Sequence, residues 1–177
     1  MRLVCSLWAA LALAAAAQPR VVKHVVVYKE AGRYGGWPAN HGVWSWGNEI
    51  LVGFSSATFQ PKTPDRHQYD GSQPERPYLA RSADGGESWK IEKPASLLPP
   101  EQGGKAAIDL PAPMNFADAN FAMTLRFVDK DTGPSRLWYT MDRGATWQGP
   151  YASPQLGQPG IAARTDYLVD GPREATI

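Results

Sequence analysis

An eight-residue signature occurs twice in this chain and constrains its fold more than any other feature. Ser82-Ala83-Asp84-Gly85-Gly86-Glu87-Ser88-Trp89 and Thr140-Met141-Asp142-Arg143-Gly144-Ala145-Thr146-Trp147 share the pattern Ser/Thr-x-Asp-x-Gly-x-Ser/Thr-Trp. The pattern has the physics of a hairpin turn. An Asp carboxylate accepts hydrogen bonds from backbone N–H groups inside the turn. The Gly two positions on takes a positive φ without steric cost. The hydroxyls of Ser82 and Thr140 add local bonds, and Trp89 and Trp147 anchor the returning strand by burying a large ring. Each copy follows a β-like run, Tyr78-Leu79-Ala80-Arg81 and Arg136-Leu137-Trp138-Tyr139.

The rest of the chain reads as strands and turns. It has 17 Gly and 16 Pro in 177 residues, which suits frequent turns and few long helices. Strands are expected over residues 21–28, 42–46, 49–55, 78–81, 89–92, 119–128 and 136–140, with another return from Trp147 and a last strand near 167–169. Outside the first residues no segment keeps a 3.6-residue apolar period. Two long Gly/Pro-rich connections, 60–77 and 93–113, are where function tends to sit on a strand scaffold. The second signature begins 58 residues after the first. That spacing fits one four-stranded propeller blade with a long loop, and the fold class expected from the strand-and-turn pattern is all-β.

Residues 1–17 read as a signal peptide: Arg2 precedes an apolar stretch from Leu3 to Ala17, with Ala15-Ala16-Ala17 before a mature start at Gln18. The run is short for a membrane span, although a retained anchor is the alternative. A secreted or periplasmic protein is expected. Cys5, the single cysteine, falls in this segment, which leaves the mature chain at 18–177 without disulfide, thiolate nucleophile or Cys-based metal site. A formal net charge of +1 argues against a strong preference for nucleic acid or anionic membrane.

The two signatures resemble the Asp-box, or bacterial neuraminidase repeat, of the sialidase superfamily. The resemblance covers roughly residues 20–177. It implies a six-bladed propeller, with Asp boxes in the hairpins between third and fourth strands, at the periphery and away from the active site. It makes Ser82, Asp84, Gly86, Trp89, Thr140, Asp142, Gly144 and Trp147 structural. It also implies an arginine that binds a substrate carboxylate and a loop Asp acting as acid/base. The stretch Arg33-Tyr34-Gly35-Gly36-Trp37-Pro38 stands where the family has a compact Arg-Ile-Pro motif; Arg and Pro are present, with two Gly and two aromatics between them. By this resemblance Arg33 is the carboxylate ligand and Asp70 the acid/base, with Asp65 in reserve. The family's Tyr nucleophile, its Glu partner and further arginines come from later blades. Six blades need on the order of 300 residues, so the chain is expected to hold about two and a half to three, as the N-terminal part of the domain.

Read as residues alone, Arg33 is equally a solvated loop cation and Asp70 a turn residue. Trp37 lies in a Gly/Pro loop, where its ring can stack on a sugar, whereas Trp44 and Trp46 alternate on one strand and are expected in the core. His24, His41 and His67 make no metal-ligand spacing, and no cofactor fingerprint is present. The function expected is a sialidase-like exo-glycosidase acting on sialic acid or another anionic sugar. The alternative is a non-catalytic propeller that binds glycan or protein.

Overall fold

The computed structural model describes residues 21–38, 40–129 and 133–177. The expected signal segment lies outside them. Strand order explains how the chain builds two facing sheets. In the first, β1 (Arg33–Gly36) and β2 (Val43–Trp46) both pair antiparallel with β3 (Glu49–Thr58), which pairs with β4 (Arg76–Ser82), which pairs with β5 (Lys90–Glu92). β1 lies beside the end of β3, with Arg33 opposite Thr58, and β2 beside its start, with Trp46 opposite Glu49. The two therefore form one edge interrupted by the loop 37–42. A bond from Gly53 N to Gly42 O (2.8 Å) ties that loop back to β3. Gly53 is required there, because a Cβ would lie 2.4 Å from the His41 carbonyl oxygen.

The second sheet is the meander β6 (Ala122–Phe127), β7 (Ser135–Thr140) and β8 (Gln148–Ala152), and β9 (Leu168–Gly171) pairs with β10 (Glu174–Thr176). All the strand pairs are antiparallel, and among the described residues no sheet closes into a barrel and no α-helix occurs. Two short 3-10 turns, Ala95–Leu97 and Pro100–Gln102, interrupt the second long connection.

Period-two alternation assigns the faces. Leu51 on β3, Leu79 on β4, Ala122 on β6 and Trp138 on β7 meet between the sheets, with Trp44, Leu97 and Trp147. The far face of the first sheet carries Phe54, Tyr78 and Ala80, covered by Val27 and Tyr28. The far face of the second carries Met123, Leu125 and Leu137, covered by loop residues such as Met114 and Phe116. Residues 21–28, expected as a strand, form none. Their Val content favours β structure, but the segment makes no ladder and acts as a cover through Val27 and Tyr28. The strand at Arg33–Gly36 was not expected, because its two glycines read as loop.

The two signatures close equivalent hairpins, β4–β5 and β7–β8, with the same bonds. Ser82 Oγ donates to Asp84 Oδ1 (2.8 Å) and accepts from Gly86 N (2.8 Å), and Ser88 N and Oγ donate to the two Asp84 oxygens (2.9 and 2.5 Å). Thr140, Asp142, Gly144 and Thr146 repeat the set at 2.6, 3.0, 2.8 and 2.6 Å. Both carboxylates are thus consumed inside their turns.

These bonds hold Asp84 well below the ordinary carboxylate range, Ser88 contributing most. At Asp142 burial pushes the other way, but Thr140, Thr146 and the turn N–H groups offset it, and the pKa is also lowered. A depressed folded pKa stabilises the fold above the unfolded value, about 3.9 for Asp, and the contribution is lost as pH falls through the folded pKa. Thermal scans should show stability falling already below about pH 6.5, where an unfolded His41 takes up a proton that the folded one, with its pKa lowered to about 3, refuses, and a further acid limb below about pH 4, where Asp84 and Asp142 protonate. Asp84→Asn should flatten that acid limb; an unchanged limb would place the acid sensitivity elsewhere.

The turns differ in their surroundings. Trp89 is half-buried and donates from Nε1 to Gly86 O (3.0 Å), whereas Trp147 is buried against Trp44 at a centroid distance of 5.6 Å. The second turn is wedged against the first sheet. At Gly144 (φ +82°) a Cβ would lie 2.5 Å from Leu51 Cδ2. Beside it Arg81 donates to Glu92 (2.8 Å), Glu49 (2.6 Å) and the Arg143 carbonyl (3.0 Å). Burial works against the Arg81 charge, but the Glu92 and Glu49 carboxylates outweigh it and raise its pKa.

Candidate functional site

The signature hairpins sit where β4 and β7 end. The opposite end of both sheets, where β3 and β6 finish and β4 and β7 start, holds a cavity of about 510 Å³. Its wall comes from five places: Trp37, Asn40 and His41 in the loop that interrupts the first edge, Tyr69 and Glu75 before β4, Gln102 at the end of the second 3-10 turn, Arg126 to Val128 at the end of β6, and Arg164. The size is in the range of small-ligand sites, about 300–1,000 Å³. A smaller annex continues inward past His41, Glu75, Gln102 and Arg126 toward Trp138.

Local bonds fix these positions. The His41 carbonyl accepts from Thr124 Oγ1 (3.1 Å), and the Asn40 carbonyl from Thr165 N (3.2 Å). Thr165 Oγ1 in turn accepts from Leu125 N (3.0 Å), which sets Arg164 beside the end of β6, 5.2 Å from the Phe127 ring centroid. Trp37 takes φ +51°, unusual for a bulky residue, and its ring meets that of Tyr69 edge-on at 5.0 Å. Strained backbone of this kind concentrates at functional sites.

Among the described residues five buried side-chain polar atoms lack a hydrogen-bond partner. Four of them, His41 Nδ1, Gln102 Oε1 and Arg126 Nε and Nη2, belong to residues lining this cavity. Most buried polar atoms in folded proteins are paired, so such a concentration requires a physical reason. Arg126 lies on β6 in phase with Ala122 and Thr124, which face the first sheet, and its guanidinium lies 5.8 Å from the Trp138 ring centroid. Burial pulls its pKa down to about 10, which leaves it cationic at neutral pH. The free Nε–Nη2 edge is the fork that grips a carboxylate with two parallel bonds.

The wall also holds a histidine and one carboxylic acid. Burial, then the Arg126 and Arg164 charges, lower His41 to about 3, so it is neutral at pH 7. Its Nε2 lies 3.0 Å from Ser55 Oγ. This pair is not a nucleophilic triad, because Nδ1 has no acidic partner and Ser55 is buried. Glu75 is the acid in the wall, and burial raises its pKa while a bond from Ser55 opposes the shift.

The structure places the sequence-derived candidates unevenly. Trp37 lines the cavity. Arg33 does not: its Nε and Nη2 donate to Ser56 Oγ (3.1 Å) and Ser56 O (3.0 Å), on the far face of the first sheet. Asp70 is also outside the wall. Its Oδ1 accepts from Ser72 Oγ (2.7 Å) and Ser72 N (2.9 Å), which lower its pKa, whereas a general acid needs the opposite shift. Asp65 is exposed, 3.9 Å from Arg66 Nε, and its pKa is lowered first by a bond from Thr63. The residues that sequence reasoning missed are His41, Glu75, Gln102, Arg126 and Arg164. One signal pointed to Arg126: a cation inside the run Phe121-Ala122-Met123-Thr124-Leu125-Arg126-Phe127-Val128, on the phase of buried residues.

Among the described residues no three His, Cys, Asp or Glu side chains gather as metal ligands, and no helix is long and apolar enough to cross a membrane. Comparison with protein-family models, curated proteins and solved structures returns no match. The fold and the cavity define an all-β protein of antiparallel sheets with a cation-lined, aromatic-edged cavity between them.

Proposed function

We propose that the chain belongs to an exported Asp-box β-propeller protein and binds an anionic sugar in the cavity between its two sheets. The two sheets are read as blades, the first complete once β1 and β2 count as one edge. The observation that carries the binding reading is the unpaired Nε–Nη2 edge of Arg126 in a wall that also holds Arg164. A carboxylate would satisfy that edge, sugar hydroxyls would meet Gln102 Oε1 and Glu75, and the Trp37 and Tyr69 rings offer faces to an apolar sugar surface.

Calorimetric titration with N-acetylneuraminic acid, galacturonic acid and neutral galactose tests this. At least one acid should bind and galactose should not. Equal binding of acids and galactose, or binding of none, contradicts it.

The hydrolytic reading keeps one supporting observation. Glu75 is a cavity acid whose pKa is raised by burial, the direction a proton donor requires. If the protein cleaves a fluorogenic sialoside or uronide, Glu75→Gln should lower turnover by about 100-fold or more, and Asp70→Asn should leave it unchanged. The reverse pattern would return the acid/base role to Asp70.

A further inference from the structure

Tyr69 belongs to two hollows. One is the cavity just described. The other is a shallower hollow of about 560 Å³ lined by Lys62, Thr63, Arg66, His67 and Tyr69. Tyr69 lines both, and other rings hold its ring in place. Tyr34 stacks on it at 5.8 Å, Trp37 meets its edge at 5.0 Å, and the Tyr34 hydroxyl lies 3.2 Å from His67 Nδ1.

The loop that carries these groups is tied to itself. Tyr69 bridges Phe59, and Asp70 N donates to Thr58 O (2.9 Å). The Gln68 side chain accepts from Lys62 N (2.6 Å) and donates to the carbonyls of Thr63 (3.0 Å) and Arg66 (2.8 Å). A surface held this way loses little freedom when a ligand binds.

Lys62 and Arg66 are the cations of this outer hollow, with the Lys62 ammonium 5.1 Å from the Tyr69 centroid. Two acids are close. Asp65 lies 3.9 Å from Arg66, and Asp70 is turned into its own bonds with Ser72. Neither carboxylate lines the hollow.

We propose that the ligand is an acidic oligosaccharide carrying charge on more than one unit. One acidic group sits on Arg126 in the cavity. The chain crosses the Tyr69 ring, and a second acidic group lies between Lys62 and Arg66. The proposal rests on the cavity binding an anionic sugar, and it adds the length and charge repeat of that ligand.

The test is a titration of wild type and of the double variant Lys62→Ala/Arg66→Ala with three probes: N-acetylneuraminic acid, its α2,8-linked trimer, and a single N-acetylneuraminic acid on neutral lactose. Galacturonic acid, trigalacturonate and galacturonic acid on neutral galactobiose serve as a second series. For wild type, the acidic trimer of one series should bind about ten-fold tighter than its monomer, a difference of about 1.4 kcal/mol. The acid on a neutral chain should gain less. In the double variant the trimer should fall to the level of the monomer, with monomer affinity unchanged. Unchanged monomer binding also shows that the variant is folded. A monomer that binds with no gain for its trimer overturns the extension and leaves the cavity reading intact. So does an equal gain for the neutral chain, a trimer gain that survives the double variant, or an equal loss for monomer and trimer. No binding of any acidic probe overturns both.

Discussion

Replacing Arg126 by Met should abolish binding of the acidic sugar and, in the same protein, raise its melting temperature. Both effects have one cause. The Arg126 Nε and Nη2 are buried without a protein partner, and burial lowers the pKa to about 10, which means that the folded state disfavours the charge. A buried polar group left unpaired costs about 1–3 kcal/mol, and an apolar side chain of similar length removes that cost. For a chain of this size about 1 kcal/mol corresponds to roughly 2–4 °C. A gain in stability joined to a loss of binding is the mark of a residue kept for function. Arg126→Lys retains the charge but not the planar fork, so its affinity should fall between those of Met and Arg. A Met variant that melts well below the wild type would show that Arg126 holds the fold together, and would remove the main reason for assigning it a ligand.

The largest structural effect is expected at the second signature. Trp147 is 6% exposed and packs with Trp44, Leu51 and Trp138 between the sheets, whereas Trp89 in the equivalent turn is half-buried. Trp147→Ala should cost about 3–5 kcal/mol, a drop in melting temperature on the order of 10 °C. Trp89→Ala should cost clearly less. Trp147→Phe should be mild for a reason peculiar to this site: Trp147 Nε1 has no partner, so removing its N–H leaves nothing unsatisfied. Chemical denaturation of the three variants checks the order. Equal losses at Trp89 and Trp147 would contradict the inter-sheet role of the second turn.

That asymmetry marks the boundary of what sequence reading reaches. The turn chemistry is local: Ser/Thr, Asp, Gly and Ser/Thr bond to one another within eight residues, so the two hairpins and the strands beside them can be read from their order. What each turn packs against is not local. Trp147 and Gly144 touch Trp44 and Leu51, about a hundred residues earlier, and no pattern around Trp147 records it. Two segments misled for related reasons. The Val-rich stretch at 21–28 has β-propensity but finds no ladder partner and covers a sheet face instead. Arg33–Gly36 reads as a loop through its glycines, yet β3 supplies the partner that makes it a strand.

The candidate site was legible in one residue. Trp37 stood out because an aromatic in a Gly/Pro loop has few packing partners, and it does line the cavity. Arg33 and Asp70 were chosen by likeness and loop position, and both have side chains occupied elsewhere, Arg33 on Ser56 and Asp70 on Ser72. The groups left unpaired, on His41, Gln102 and Arg126, come from three separate stretches. Their common property is a missing partner, which exists only once the sheets have packed.

The most direct test of the central claim is a crystal structure of the protein soaked with the tightest-binding acidic monosaccharide. The account predicts the sugar carboxylate bridging Nε and Nη2 of Arg126, with the ring against Trp37 or Tyr69. A carboxylate held by Arg33 on the far face of the first sheet, or a sugar bound at the signature hairpins with the cavity unoccupied, would contradict it.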